Sequence, residues 1–142
     1  MEKTNVRACF SLYGDEFPLE YVTEKIGLKP SMGYRKGDLI SAKQSDKLGI
    51  TIQRKETAWQ LETNYEESLD VDNQLSKIID ILHGKREVIN EIRKDFELEC
   101  RLDIVIIMEK GYTPAFSLNR KVIDFIHFIQ AEIEIDLYAN PY

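Results

Sequence analysis

The run Ile104-Val105-Ile106-Ile107-Met108 is the longest apolar stretch in the chain and constrains the fold more than any other segment. It falls far short of the roughly 20 residues that cross a bilayer, and it has the length and composition of a strand buried on both faces. Such a strand needs a neighbour on each side and a layer of structure over it. Residues 98–109 are therefore expected to form a central strand of a sheet.

Other segments supply the neighbours. Val6, Ala8, Phe10 and Leu12 alternate with Asn5, Arg7, Ser11 and Tyr13, the period of a half-buried strand. Ile50 and Ile52 alternate with Thr51 and Gln53, and Trp59 and Leu61 with Gln60 and Glu62; with Arg54-Lys55-Glu56 between them, the two runs read as a hairpin. Ile133, Ile135 and Leu137 alternate with Glu132, Glu134 and Asp136 in a closing strand.

The covering layer is written at helical spacing. Val71, Leu75, Ile78, Ile79 and Leu82 form the clearest amphipathic helix, with Asp70 or Asp72 as N-cap and Gly84 past its end. Val88, Ile89, Ile92 and Phe96 mark a second helix. Leu118, Val122, Phe125, Ile126 and Ile129 mark a third, with Ser117 as its cap. A shorter helix carrying Leu19, Val22 and Ile26 opens after Pro18 and stops at Gly27. Residues 29–48 read as a loop of about 20 positions, a length that is often functional.

The expected order is β-α-ββ-α-α-β-α-β in a single α+β domain over residues 1–142. The expected architecture is a ferredoxin-like, mostly antiparallel sheet with helices packed on one face and the other face at least partly open. A strand, loop, helix and strand near the start and again at the end hint at a duplicated unit.

Composition narrows the partners. Residues 1–55 hold 10 Lys/Arg against 7 Asp/Glu, whereas residues 56–142 hold 9 against 18, within a net charge of −6. An acidic surface repels nucleic acid and anionic membrane and suits a basic protein partner; it also serves solubility alone. The polar start Met1-Glu2-Lys3-Thr4-Asn5 runs straight into a strand pattern, so no signal peptide is expected and the chain reads as cytoplasmic. Cys9 and Cys100, without CxxC spacing, read as reduced core thiols.

Familiar catalytic signatures are missing from the sequence. Gly33-Tyr34-Arg35-Lys36-Gly37-Asp38 lacks the spacing of a phosphate loop, and there is no GxSxG elbow. His83 and His127 have no metal-ligand spacing and read as structural, His83 in the last turn of its helix. No cofactor, metal site or catalytic residue is expected. Glu132, Glu134 and Asp136 share one strand face, which reads as a solvated edge or as a weak cation-collecting row. Tyr34, Arg35, Lys36 and Asp38 form the most suggestive cluster: they suit an anionic or planar ligand, or else a turn whose Arg35 pairs with an acid such as Asp136. Trp59 reads either as core or as an exposed anchor for a ligand or partner.

The opening strand ending in Gly14-Asp15, the helix end Ile26-Gly27-Leu28-Lys29-Pro30, the loop Tyr34–Asp38, Trp59, and the terminal Ile135-Asp136-Leu137-Tyr138 occur in one order. In this the chain resembles the bacterial proteins grouped as domain of unknown function 4279, with Tyr34 at a position often held by tryptophan. The resemblance implies a stand-alone bacterial cytoplasmic domain with no established activity. Some such small domains sit beside toxin genes as immunity proteins.

Three functions remain open on the sequence. The first is a non-enzymatic protein-binding module, in its immunity-type form masking a basic toxin surface. The second is a binder of a small anion, or an enzyme, using the 29–48 loop, with Arg35 and Lys36 on the anion and Asp38 or Asp136 as acid/base. The third is a structural homo-oligomer. The candidate ligand- or partner-binding residues are Tyr34, Arg35, Lys36, Asp38, Trp59, Asp136 and Tyr138.

Overall fold

A computed structural model describes residues 4–40 and 52–140 of the chain. The strands are β1 (Asn5–Gly14), β2 (Met32–Tyr34), β3 (Thr57–Glu62), β4 (Glu66–Glu67), β5 (Glu99–Glu109) and β6 (Glu132–Asn140). The helices are α1 (Leu19–Ile26), α2 (Val71–Leu82), α3 (Arg86–Asp95) and α4 (Arg120–Phe128), with a 3-10 turn His83–Lys85 joining α2 to α3.

These elements build one mixed α+β sheet in the order β2-β3-β1-β5-β6, with the short β4 pairing the start of β1. All strand pairs are antiparallel except β5 and β6, which run parallel. The exception follows from the connection. Helix α4 carries the chain back across the sheet before β6 begins, and a crossover of that kind delivers a parallel neighbour. Strand β5 lies between β1 and β6, the central position that its apolar run requires.

Two expectations about residues 29–62 are corrected. Met32–Tyr34, inside the expected loop, forms strand β2 and pairs with Ala58–Gln60. Strand β3 therefore lies between β2 and β1 rather than in a hairpin with Ile52 and Gln53. Ile52 lies outside any strand, and Gln53 makes only an isolated bridge to Leu39. Ile50 and Thr51 of the expected hairpin, and positions 41–48 of the expected loop, lie outside the described residues.

The helices pack against one face of the sheet. Val6, Phe10 and Leu12 of β1, Trp59 of β3, and Leu102, Ile104 and Ile106 of β5 meet Val22 and Ile26 of α1, Leu75 and Ile79 of α2, Ile89 and Ile92 of α3, and Val122 and Phe125 of α4. Burying a side chain of this size contributes about 1.5–3 kcal/mol against the entropy of ordering the chain.

The helix ends have identifiable causes. Gly27 takes the left-handed conformation (φ 78°) and closes α1 by donating its N–H to the Thr23 carbonyl. Asp70 caps α2, accepting from the Asp72 N–H at 3.0 Å. Gly84 has no positive φ: the chain runs on through the 3-10 turn, with His83 at the C-cap of α2. At α4 the cap is Asn119 rather than Ser117, and its Oδ1 accepts from the Val122 N–H at 3.0 Å. Its Nδ2 also donates to Asp72 Oδ1, which ties the start of α4 to the start of α2. Cys9 and Cys100 are both free thiols and both buried.

Candidate functional site

The sheet order divides the candidate residues between its two edges. Tyr34, Arg35, Lys36 and Asp38 gather at the β2 edge, whereas Asp136 and Tyr138 lie on β6, with β3, β1 and β5 in between. Trp59 belongs to neither surface. It is 0% exposed, its ring meets Phe10 edge-on, and its Nε1–H donates to Thr23 Oγ1 at 3.0 Å.

At the β2 edge, residues 35–38 form a tight turn. The Asp38 N–H donates to the Arg35 carbonyl at 3.0 Å, and the Asp38 carboxylate accepts from the Arg35 N–H at 2.8 Å. Gly37 sits at φ 93°, a conformation a side chain would strain, and its N–H donates to the Arg54 carbonyl at 2.9 Å. The Arg54 guanidinium stacks 4.0 Å from the Tyr34 ring centroid. Thr57 fastens this turn to the end of β1: its hydroxyl accepts from the Lys36 N–H at 3.0 Å and donates to the Asp15 carbonyl at 2.9 Å.

Both cations of the turn are already engaged. Arg35 pairs with Glu20 on α1 at 2.5 Å, and Lys36 pairs with Asp15. Arg35 does not reach Asp136, the partner considered from sequence. The hydrogen bond from Arg35 holds the Glu20 carboxyl below its ordinary range, and Asp15 raises the Lys36 ammonium. A shallow cleft of about 370 Å³ lies here, lined by Glu16, Phe17, Pro18, Arg35, Lys36 and Thr57. An anion entering it has to compete with two carboxylates for the same two cations.

The uncovered face of the sheet carries a polar row of which sequence reading singled out only Glu134. Arg101 and Asp103 pair at 3.1 Å, with Glu134 at 3.8 Å from Arg101. The Arg101 guanidinium lies 5.0 Å from the Tyr13 ring centroid, and the Tyr13 hydroxyl donates to Glu99 at 2.9 Å. Burial raises the Asp103 carboxyl although Arg101 opposes it. Burial, then Glu99, pushes the Tyr13 phenol up to about 12. Arg7 bonds Glu62 at 3.2 Å in the same row. Tyr13, Arg101 and Asp103 are held by partners within the row, whereas the Arg7 Nε is buried without a hydrogen-bond partner.

The β6 edge is different. Its register sets Ile133 opposite Leu102, Ile135 opposite Ile104 and Leu137 opposite Ile106, so all three point to the helix side. The helices stop short of it. Ile135 is 51% exposed and Leu137 60%, and Ile123 of α4 is also exposed. Ile123, Ile126, His127, Gln130, Ala131 and Ile133 line a groove of about 440 Å³ between α4 and the start of β6. On the other face of β6 stand Glu132, Glu134, Asp136 and Tyr138, all exposed. Among the described residues nothing pairs with the outer edge of β6. Ile123 sits beside the inward stripe of its helix, a misplacement visible in the sequence; the exposure of Ile135 and Leu137 is not.

The described residues contain no group of three or more His, Cys, Asp or Glu placed to hold a metal ion. No helix among them is long and apolar enough to cross a membrane.

The family model described as "Domain of unknown function (DUF4279)" matches residues 3–140. The chain belongs to this family. The match runs from β1 through β6 and so includes both edges of the sheet. No curated protein and no solved structure matches the chain.

Proposed function

We propose that this DUF4279 chain is a non-enzymatic protein-binding module that docks its partner along β6 and the adjoining flank of α4. The observation that carries this reading is the state of β6: a nine-residue edge strand whose helix-side residues Ile135 and Leu137 are half exposed or more. Such an edge presents backbone donors and acceptors beside an apolar strip, the surface to which strands are added in peptide recognition. An immunity-type role, in a bacterial cytoplasm and against a basic protein, fits the same surface and the acidic balance of residues 56–142.

The same reading extends to the architecture. The order β2-β3-β1-β5, antiparallel throughout, supports a ferredoxin-like arrangement to which α4 and β6 are appended on the β5 side. The docking strand belongs to the appendage. The anion-binding alternative at Arg35 is weaker because Glu20 and Asp15 already occupy its cations.

The test is affinity capture from the cells that produce the protein, run side by side with wild type, Leu137→Arg and Arg35→Ala, bound proteins being identified by mass spectrometry. A stoichiometric protein retained by Arg35→Ala and lost by Leu137→Arg supports the module. Loss with Arg35→Ala, or indifference to Leu137→Arg, sinks it.

A further inference from the structure

We infer that the occupant of the β6 edge is an extended segment of another protein in which cationic and apolar residues alternate. The inference rests on the docking role proposed for β6 and assigns the partner its chemistry.

A strand added beside β6 continues the pleat, so its side chains fall alternately on the two faces of the sheet, in line with those of β6. On the helix side they meet Ile133, Ile135 and Leu137, with Ile123 of α4 at the rim. Apolar side chains there bury surface that the fold leaves in water. On the opposite face they meet Glu132, Glu134, Asp136 and Tyr138. Arg101 approaches Glu134 at 3.8 Å, whereas Glu132 and Asp136 have no ion-pair partner among the described residues. Lys or Arg at those positions gains two free carboxylates and the Tyr138 ring as a cation platform.

The same charges argue against a second copy of this chain. A two-fold pairing of β6 with β6 that keeps the faces aligned brings one acidic row beside the other. Like charges on neighbouring strands destabilise the pair. An acidic partner strand meets the same repulsion. The edge is thus apolar enough to dock and charged enough to select.

The test uses the full chain and fluorescently labelled synthetic peptides of nine residues, the length of β6. One peptide alternates lysine with valine, and one alternates glutamate with valine. A third repeats the lysine–valine sequence with alternate backbone amides N-methylated. Anisotropy titrations are expected to show binding of the lysine–valine peptide alone, weakening as salt is raised and abolished by N-methylation. The double substitution Glu132→Lys with Asp136→Lys is expected to weaken that binding about tenfold or more and to admit the glutamate–valine peptide. Leu137→Asp is expected to abolish it, with circular dichroism confirming that the variant is folded.

If both charged peptides bind equally, and both are lost in Leu137→Asp, docking at β6 stands and the assigned chemistry fails. If no peptide binds, or Leu137→Asp changes nothing, both readings fail. Sedimentation velocity closes the remaining route: self-association of wild type that Leu137→Asp removes makes a second copy the occupant and overturns the inference.

Discussion

Ile135 lies directly opposite Ile104 in the parallel register of β5 and β6, yet Ile104 is 0% exposed and Ile135 is 51% exposed. One strand separates a core residue from a surface one on the same face of the same sheet. The helix layer ends between them, and that boundary leaves the helix side of β6 exposed rather than part of the core.

The contrast predicts unequal costs. Ile104→Ala is expected to lower unfolding stability by about 2–5 kcal/mol, the range for a large-to-small change in a packed core. Ile135→Ala is expected to cost less than about 1 kcal/mol. Urea denaturation of the two variants measures both, and equal losses would show Ile135 to be covered.

Trp59 acts through its ring and through its N–H. Trp59→Phe removes the donor that Thr23 accepts at 3.0 Å, and Thr23→Val removes the acceptor. A double-mutant cycle is expected to give a coupling of about 1 kcal/mol. A coupling near zero would assign the whole effect of Trp59 to packing.

The two thiols carry a pH dependence of definite sign. Burial pushes Cys9 up to about 11 and Cys100 up to about 12, from an ordinary value of 9.0. Each thiol therefore holds its proton more tightly in the folded state. The stability this contributes is complete below the unfolded value and is lost as pH rises through the folded values. Thermal unfolding is expected to shift to lower temperature between about pH 9 and pH 12, and less steeply in Cys9→Ser with Cys100→Ala. At about pH 8 neither thiol is expected to react with a thiol-specific dye until the chain is unfolded.

Helix capping separates two nearby residues. Asn119→Ala is expected to cost about 1 kcal/mol, because the Val122 N–H loses its acceptor. Ser117→Ala, two positions earlier, is expected to leave the denaturation midpoint unchanged. Matching losses in the two variants would move the cap.

Several features were legible before any tertiary contact was known. The apolar run 104–108 points to a central strand, and β5 does lie between β1 and β6, although Ile107 on the uncovered face is only partly buried. The stripe Val71, Leu75, Ile78, Ile79, Leu82 specifies an amphipathic helix, and Asp70 caps it through a bond to a residue two positions away. These are local rules, acting within one element or across one turn.

The tertiary structure alone decided the site. Strand β2 is three residues long and becomes a strand only because β3 lies beside it, so periodicity cannot register it. Asn119 and Ser117 are both chemically fit to cap; the backbone of α4 selects Asn119, and its amide is held by Asp72 of another helix. The sequence leaves Arg35 open to an anionic ligand or to an acid such as Asp136, and only folding sets Glu20 against it and Asp15 against Lys36. Ile133, Ile135 and Leu137 alternate as regularly as any core strand, and alternation tells which face a residue occupies. Whether that face is covered depends on how far α4 and its neighbours reach across the sheet, which is a property of packed helices and not of the strand that waits beneath them.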